Sequence, residues 1–244
     1  MAKILIGTSG WSYPSWRGPF FPKTVTATNH LEFYARQFVT TELNGVFYRM
    51  PSLKAVRSWR KRTPKDFVFA WKASRFITHW KRLGPSSRSS LALLETRLRA
   101  LEGRVGPILF QLPSRFVADK ERLNRFIRLL KPNRRYAFEF RHSSWFEPPI
   151  LDLLHDHNVA LCLSDHHEAP TPWEVTASFV YLRGHGPGGA YKGHYSEQSL
   201  RTWAKSIKEW KRRRRDVYVY FDNDQKAAAP ADARRLMKMV NVDR

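Results

Sequence analysis

Glu42 and Asn44 stand two residues apart in the stretch TTELN, and Glu139 and Arg141 repeat that spacing in AFEFR. On an extended strand, residues i and i+2 project to one face, so each pair presents two polar side chains together. Asp165 follows a further apolar run, LCLS. Three carboxylates brought to one place offer general acid–base chemistry, or oxygen ligands for a divalent cation. Lys72, Arg141 and Arg183 end neighbouring runs. Their charge suits an anionic substrate and works against the raised pKa that a carboxylic general acid needs. Asn44 and Gln111 supply amides able to orient a bound group, and His185, Asp222 and Asn223 complete the polar set.

All of these residues lie where a short β-rich run ends. Eight such runs follow one another: ILIG, TTELN, DFVFAWK, GPILFQLP, RYAFEFR, VALCLSD, ASFVYLRG and DVYVYFDND. Helical patterns follow nearly every run, among them SLKAVRSWRKR with Ser52 as its N-cap and SSLALLETRLRALEG with Gly103 as its stop. The sixth connection, HHEAPTPWEVT, is too rich in proline for a regular helix, so a short or irregular element is expected there. Eight β/α repeats in 244 residues match the size of a TIM (β/α)8 barrel. No linker or low-complexity stretch divides the chain, which reads as one α/β barrel domain over residues 1–244. In such a barrel the strand C-termini form the floor of a cleft, and the polar set above would line it. The same acids and arginines would also pair with one another across the barrel mouth.

Trp11, Tyr48, Trp145 and Tyr191 lie near these strand ends, and aromatic walls suit stacking on a sugar face or a base. The glycine-rich loop RGHGPGGAYKGHYS, with Lys192, follows the seventh strand, where barrels often bind phosphate.

The formal net charge is +22 and the isoelectric point is near 10.6, a field that attracts nucleic acid and other polyanions. The cations are dispersed over several helices, including KRRRR at 211–215, which gives non-specific attraction rather than a drawn footprint. A single cysteine, Cys162, excludes an intramolecular disulfide framework and a cysteine-based zinc cluster, and its apolar setting reads as structural. The first apolar run is too short for a signal-peptide core and no stretch has membrane-spanning length, so a cytoplasmic protein without membrane partners is expected.

Taken in order, the motifs IGTSGWSYPSWRGPFFP, ELNGVFYRMPS, TPKDFVFAWKASRFITH, GPILFQLP, AFEFRHSSW, LCLSDHH, YLRGHG, YSEQSLRTWA and VYVYFDND resemble those of the YecE-like family, also called domain of unknown function 72. The resemblance runs from about residue 3 to residue 240. It implies a TIM barrel with a cleft at the strand C-termini and supplies no reaction. One departure stands out: the family usually ends its eighth strand with paired asparagines, where this chain has Asp222 and Asn223.

The residues point first to an enzyme, a hydrolase or lyase, acting on a phosphate-bearing nucleic acid or sugar phosphate. In that reading Glu42, Glu139 and Asp165 are catalytic. Arg141, Arg183 and Lys72 hold the anion, and Trp11, Asn44, Tyr48, Gln111, Trp145, His185, Tyr191, Asp222 and Asn223 line the substrate site. A divalent metal is compatible with these carboxylates together with His79, His142, His166 or His185, but no HxH or HExxH spacing indicates one, and the cofactor is left open. The alternatives are a glycoside hydrolase using two of the carboxylates, and a non-catalytic barrel that binds nucleic acid on its basic helical coat. Substrate identity and oligomeric state carry no signature in the chain.

Overall fold

Eight parallel strands alternate with helices over residues 2–242, the part of the chain that the computed structural model describes. The strands are β1 (Ile4–Thr8), β2 (Thr40–Leu43), β3 (Val68–Lys72), β4 (Val105–Gln111), β5 (Tyr136–Glu139), β6 (Ala160–Ser164), β7 (Phe179–Gly184) and β8 (Asp216–Phe221). The helices are α1 (His30–Ala35), α2 (Gly45–Tyr48), α3 (Leu53–Lys61), α4 (Ser87–Arg99), α5 (Lys120–Ile127), α6 (Pro148–Asp156), α7 (Glu197–Arg212) and α8 (Ala228–Met239). Hydrogen-bonded neighbours run β1-β8-β7-β6-β5-β4-β3-β2, the order of a TIM-type α/β barrel.

Side-chain caps start three of the helices, Ser52 among them as the sequence indicated. The Ser52 hydroxyl accepts from Ala55 N at 3.1 Å to open α3, Asp119 accepts from Arg122 N at 2.9 Å to open α5, and Ser196 accepts from Ser199 N at 3.0 Å to open α7. On α7, Leu200, Trp203, Ala204, Ile207 and Trp210 recur at helical spacing and bury one face against the barrel. The sixth connection, residues 165–178, contains no helix. The Thr171 hydroxyl accepts from Ser164 N at 2.8 Å and the Thr176 hydroxyl accepts from Leu161 N at 2.8 Å, so side chains fasten this segment to β6. Trp173 then stacks on Trp210 at 5.7 Å, covering part of the surface a helix would have covered.

Inside the barrel, large residues from one side meet small ones from the other. Phe179 and Tyr181 on β7 and Tyr218 and Tyr220 on β8 pack with Ala70, Ala137, Ala160 and Cys162 in one buried cluster. Burial raises the pKa of the Cys162 thiol well above its ordinary value, in keeping with a structural role.

The seam between β1 and β2 closes the barrel with few ladder bonds. One bridge joins Ser9 to Glu42, and Gly10 N donates to Glu42 O at 2.7 Å. Below it the Tyr34 hydroxyl, from α1, accepts from Thr8 N at 2.9 Å and donates to Thr40 O at 3.0 Å, standing in for a missing ladder bond. Only glycine fits beside it at position 7, where a Cβ would lie 2.2 Å from Thr40 O.

Candidate active site

Arg183 is the hub of the barrel mouth. It projects from β7 into the barrel and is fully buried. Its Nε donates to Glu42 Oε2 at 3.0 Å, and Nη2 donates to Glu42 Oε1 and Asp222 Oδ2, each at 2.8 Å. Nη1 donates to Glu139 Oε2 at 2.9 Å. One guanidinium therefore ties β2, β5 and β7 to the residue that follows β8. Ser9 Oγ and Tyr181 Oη complete the shell of Glu42, donating at 2.5 and 2.7 Å. Burial alone would raise the Glu139 pKa, but Arg141 and Arg183 beside it hold the carboxyl well below the usual carboxylate range. The reciprocal effect holds the Arg183 pKa well above its ordinary value: burial opposes its charge, and Glu139, Glu42 and Asp222 outweigh burial.

Around this hub lie groups with hydrogen-bonding capacity to spare. Arg141, 5 % exposed, donates from Nη2 to Glu139 Oε1 at 2.6 Å, while its buried Nε has no partner among the described residues. Lys72, 6 % exposed, uses one of its three donors on Asn44 Oδ1 at 3.3 Å, and its Nζ lies 4.5 Å from the centre of the Phe47 ring. Burial and Arg183 lower the Lys72 pKa. His185 Nε2 faces Arg183 Nη1 at 2.9 Å and Arg141 Nη2 at 3.3 Å. Arginine only donates, so Nε2 accepts and the proton resides on Nδ1, which lies 3.3 Å from Ser164 Oγ and 3.4 Å from Asp165 Oδ1. Asp165 accepts from His185 N at 2.7 Å and from the Tyr195 hydroxyl.

The mouth extends sideways over β1 and β2 into a cavity of about 450 Å³, lined by Trp11, Tyr13, Asn44, Tyr48 and Trp59 among others. Tyr13 sits between this cavity and the hub. Its hydroxyl donates to Ser9 O at 2.6 Å, and burial together with Asp222 raises its pKa. Asp224, beyond β8, is half-buried, and burial and the Asp222 charge raise its pKa. Tyr191 is partly exposed, with its ring 5.1 Å from His185.

Of the residues expected from sequence, Glu42, Glu139, Arg141, Arg183, His185 and Asp222 meet at the hub, with Lys72, Asn44 and Asp165 at its edge. Trp11, Tyr48 and Tyr191 line the rim. Gln111, two residues beyond the inward-facing Leu109 and partly exposed, uses Nε2 on Leu112 O at 2.8 Å and keeps its amide oxygen free among the described residues. Two expectations need correction. Trp145 is fully buried, stacked on Phe140 at 4.7 Å with its Nε1 donating to Phe116 O at 2.5 Å, so it is core and not wall. Asn223 is fully buried and joins Gly193 O at 2.7 Å to Asp232 Oδ2 at 2.9 Å, fastening the glycine-rich loop to α8 rather than facing the cleft. Ser9 and Asp224, polar residues at the same strand ends, and Tyr13 and Tyr195, aromatics around them, join the site, and Ser164 joins them without a signal in the sequence.

Among the described residues, no group of three or more histidine, cysteine, aspartate or glutamate side chains is arranged to hold a metal ion. Of the four histidines weighed for that role, His79 lies against Phe47, His142 accepts from Ser144 N, and His166 and His185 approach each other with ring centres 5.2 Å apart. Nor is any helix of the described residues long and apolar enough to cross a membrane.

With the geometry in hand, known proteins give a consistent picture. The family model described as "Protein of unknown function DUF72" matches residues 5–244. The UPF0759 protein YunF of Bacillus subtilis is 24% identical over 273 residues, covering 98% of this chain and 95% of that protein. A DUF72 family protein of Thermotoga maritima superposes with a TM-score of 0.89 at 27% identity, over 98% of this chain and 99% of that one. A second, from Enterococcus faecalis, superposes at 0.84 with 21% identity, over 99% and 96%, a likeness of fold. As its motifs indicated, the chain belongs to the DUF72 family.

Proposed function

We propose that the protein is an enzyme, a hydrolase or lyase, acting on a phosphate-bearing substrate held in the cleft at the strand C-termini. One observation carries this reading: among the described residues the buried Nε of Arg141 has no partner, and nearby Lys72 uses only one of three donors. A buried unmet N–H costs about 1–3 kcal/mol, so cationic donors left open at a cleft are best explained by an anion that fills them.

The roles follow from burial. Arg183, Glu42, Glu139 and Asp222 satisfy one another and hold the floor rigid, so the first two carboxylates act as a frame for the cations rather than as proton donors. Arg141 and Lys72 bind the phosphate, with Asn44 orienting Lys72. Asp224, whose pKa burial and Asp222 raise, is the carboxyl suited to give a proton. Asp165 orients His185 from its other side. The glycosidase alternative loses support here, because Glu139 is held in its charged form and Glu42 is engaged by Arg183, Ser9 and Tyr181.

The test is turnover on a panel of nucleotides, sugar phosphates and short oligonucleotides, comparing the natural protein with Lys72→Met. Loss of a charge-assisted hydrogen bond to the phosphate, about 1.5–3 kcal/mol, lowers kcat/KM by about tenfold to a hundredfold. A substrate turned over equally well by Lys72→Met would remove lysine from the phosphate site.

A further inference from the structure

Three aromatic side chains near the mouth stand open to solvent: Tyr48 at 61 %, Phe76 at 47 % and Trp80 at 70 %. Single exposed apolar residues need no explanation, but these share a neighbourhood and alternate with cations. The Arg75 guanidinium lies 5.6 Å from the centre of the Tyr48 ring, and Lys81 Nζ lies 4.8 Å from that of Phe76. Phe76 and Trp80 are 5.9 Å apart on the π-helical turn Phe76–Trp80, a rare conformation that recurs at functional sites.

The row is continuous at both ends. Tyr48 lines the 450 Å³ cavity at the mouth, and Lys81 lines a second cleft of about 490 Å³ beside α5. The charged lining of that cleft is Lys81, Arg88, Arg122, Arg125 and Arg128, with Asp119 paired to Arg122 at 3.2 Å. Phe116 lies between Arg82 and Arg122, each 5.8 Å from its ring centre. On the inner side, His79 packs 5.2 Å from Phe47, the ring that Lys72 approaches from the floor. Burial, then Lys72, Arg75, Arg141 and Arg82, lower the His79 pKa to about 4, so floor and rim share one positive field.

We propose that this row is the track of a single strand of nucleic acid, its bases stacked on Tyr48, Phe76 and Trp80, its phosphates met by Arg75 and the α5 arginines. The proposal rests on the reading of the cleft as a phosphate site and narrows its substrate class. A sugar phosphate has no use for exposed aromatics remote from the floor, and a duplex keeps its base faces stacked, whereas a single strand offers both faces and phosphates.

The experiment measures fluorescence anisotropy of the full chain with a labelled single strand of about twenty nucleotides, its blunt duplex, and inorganic polyphosphate as competitor. Phe76→Ala/Trp80→Ala removes two exposed rings, and its melting temperature checks the fold. Each stacked base contributes about 1–3 kcal/mol, so this variant should bind the single strand at least about tenfold more weakly, with duplex and polyphosphate binding unchanged. Arg122→Ser/Arg125→Ser should reduce the logarithmic salt slope for the single strand by about 1.4, at about 0.7 for each phosphate deprived of its cation. Equal weakening toward all three probes, or none toward the single strand, would overturn the proposal. Stabilisation by inorganic phosphate reports on the cleft separately. If it persists while removal of the rings changes nothing, the track falls and the cleft reading stands. If it is absent while single-strand binding still follows the rings, the track is upheld and the cleft reading falls.

Discussion

Arg183 holds Glu42 through two nitrogens, Nε at 3.0 Å and Nη2 at 2.8 Å, in a pair that is wholly buried. The two residues are 141 positions apart in the chain, and their contact spans the barrel interior from β7 to β2. With Glu139 and Asp222 on the same guanidinium, the floor of the cleft is one ionic assembly. The consequences extend to stability as well as to chemistry.

Replacing Arg183 by Met leaves buried carboxylates without their common partner. Breaking a buried ion pair on one side costs about 3–5 kcal/mol, and urea denaturation of Arg183→Met should show a loss of that size. Asp222→Asn should cost much less, since an amide oxygen can still accept from Nη2 and Glu42 and Glu139 remain. A loss below about 1 kcal/mol for Arg183→Met would mean that the assembly does not hold the floor.

One hydroxyl bridges the lower part of the seam between β1 and β2. Tyr34→Phe strands Thr8 N and Thr40 O, and the loss of stability should be about 1–3 kcal/mol. Gly7→Ala should be worse, because the added Cβ meets backbone rather than a flexible side chain. Hydrogen exchange of the β1 amides should accelerate in both variants, and unchanged exchange would show that the seam is held elsewhere.

Acid should weaken the fold through two histidines. Burial with Lys72 and Arg75 lowers the His79 pKa to about 4, and burial with Arg141 lowers that of His166 to about 3. The unfolded chain takes up these protons below about pH 6.5, and the folded chain only near the lower values. The unfolded state therefore binds more protons in this window, and stability must decrease as the pH falls from about 6.5 toward 4. Glu139 acts in the same direction lower down: its folded pKa is depressed, so its contribution is lost as the pH falls below the ordinary glutamate value of about 4.3. Melting temperature against pH should flatten between 6.5 and 4 in His79→Gln/His166→Gln. An unchanged slope would assign the acid sensitivity to other groups.

Much of this was legible in the chain. The eight apolar runs with polar ends marked the barrel and its cleft, and proline content identified the irregular sixth connection. Glu42 and Glu139 were visible through their i, i+2 companions. Arg183 was visible as a cation but not as a hub, because its partners come from separate strand ends. Trp145 was misassigned for a related reason: proximity in sequence to a polar motif does not tell which way a ring faces, and Phe140 and Phe116 draw this one into the core. The Tyr34 hydroxyl left no trace, since it sits on a helix that reads as ordinary core. The segment GVFY, which follows β2, forms the one-turn α2 instead of continuing the strand.

The central claim, that the open donors of Arg141 and Lys72 await a phosphate, is tested most directly by thermal melting with inorganic phosphate at matched ionic strength. At a hundredfold excess over Kd, ligand binding adds about 2.7 kcal/mol, a rise of about 5–10 °C for a protein of this size. The account predicts that rise in the natural protein and its absence in Arg141→Gln. No rise over sulfate-free, salt-matched buffer, or an equal rise in Arg141→Gln, would contradict it.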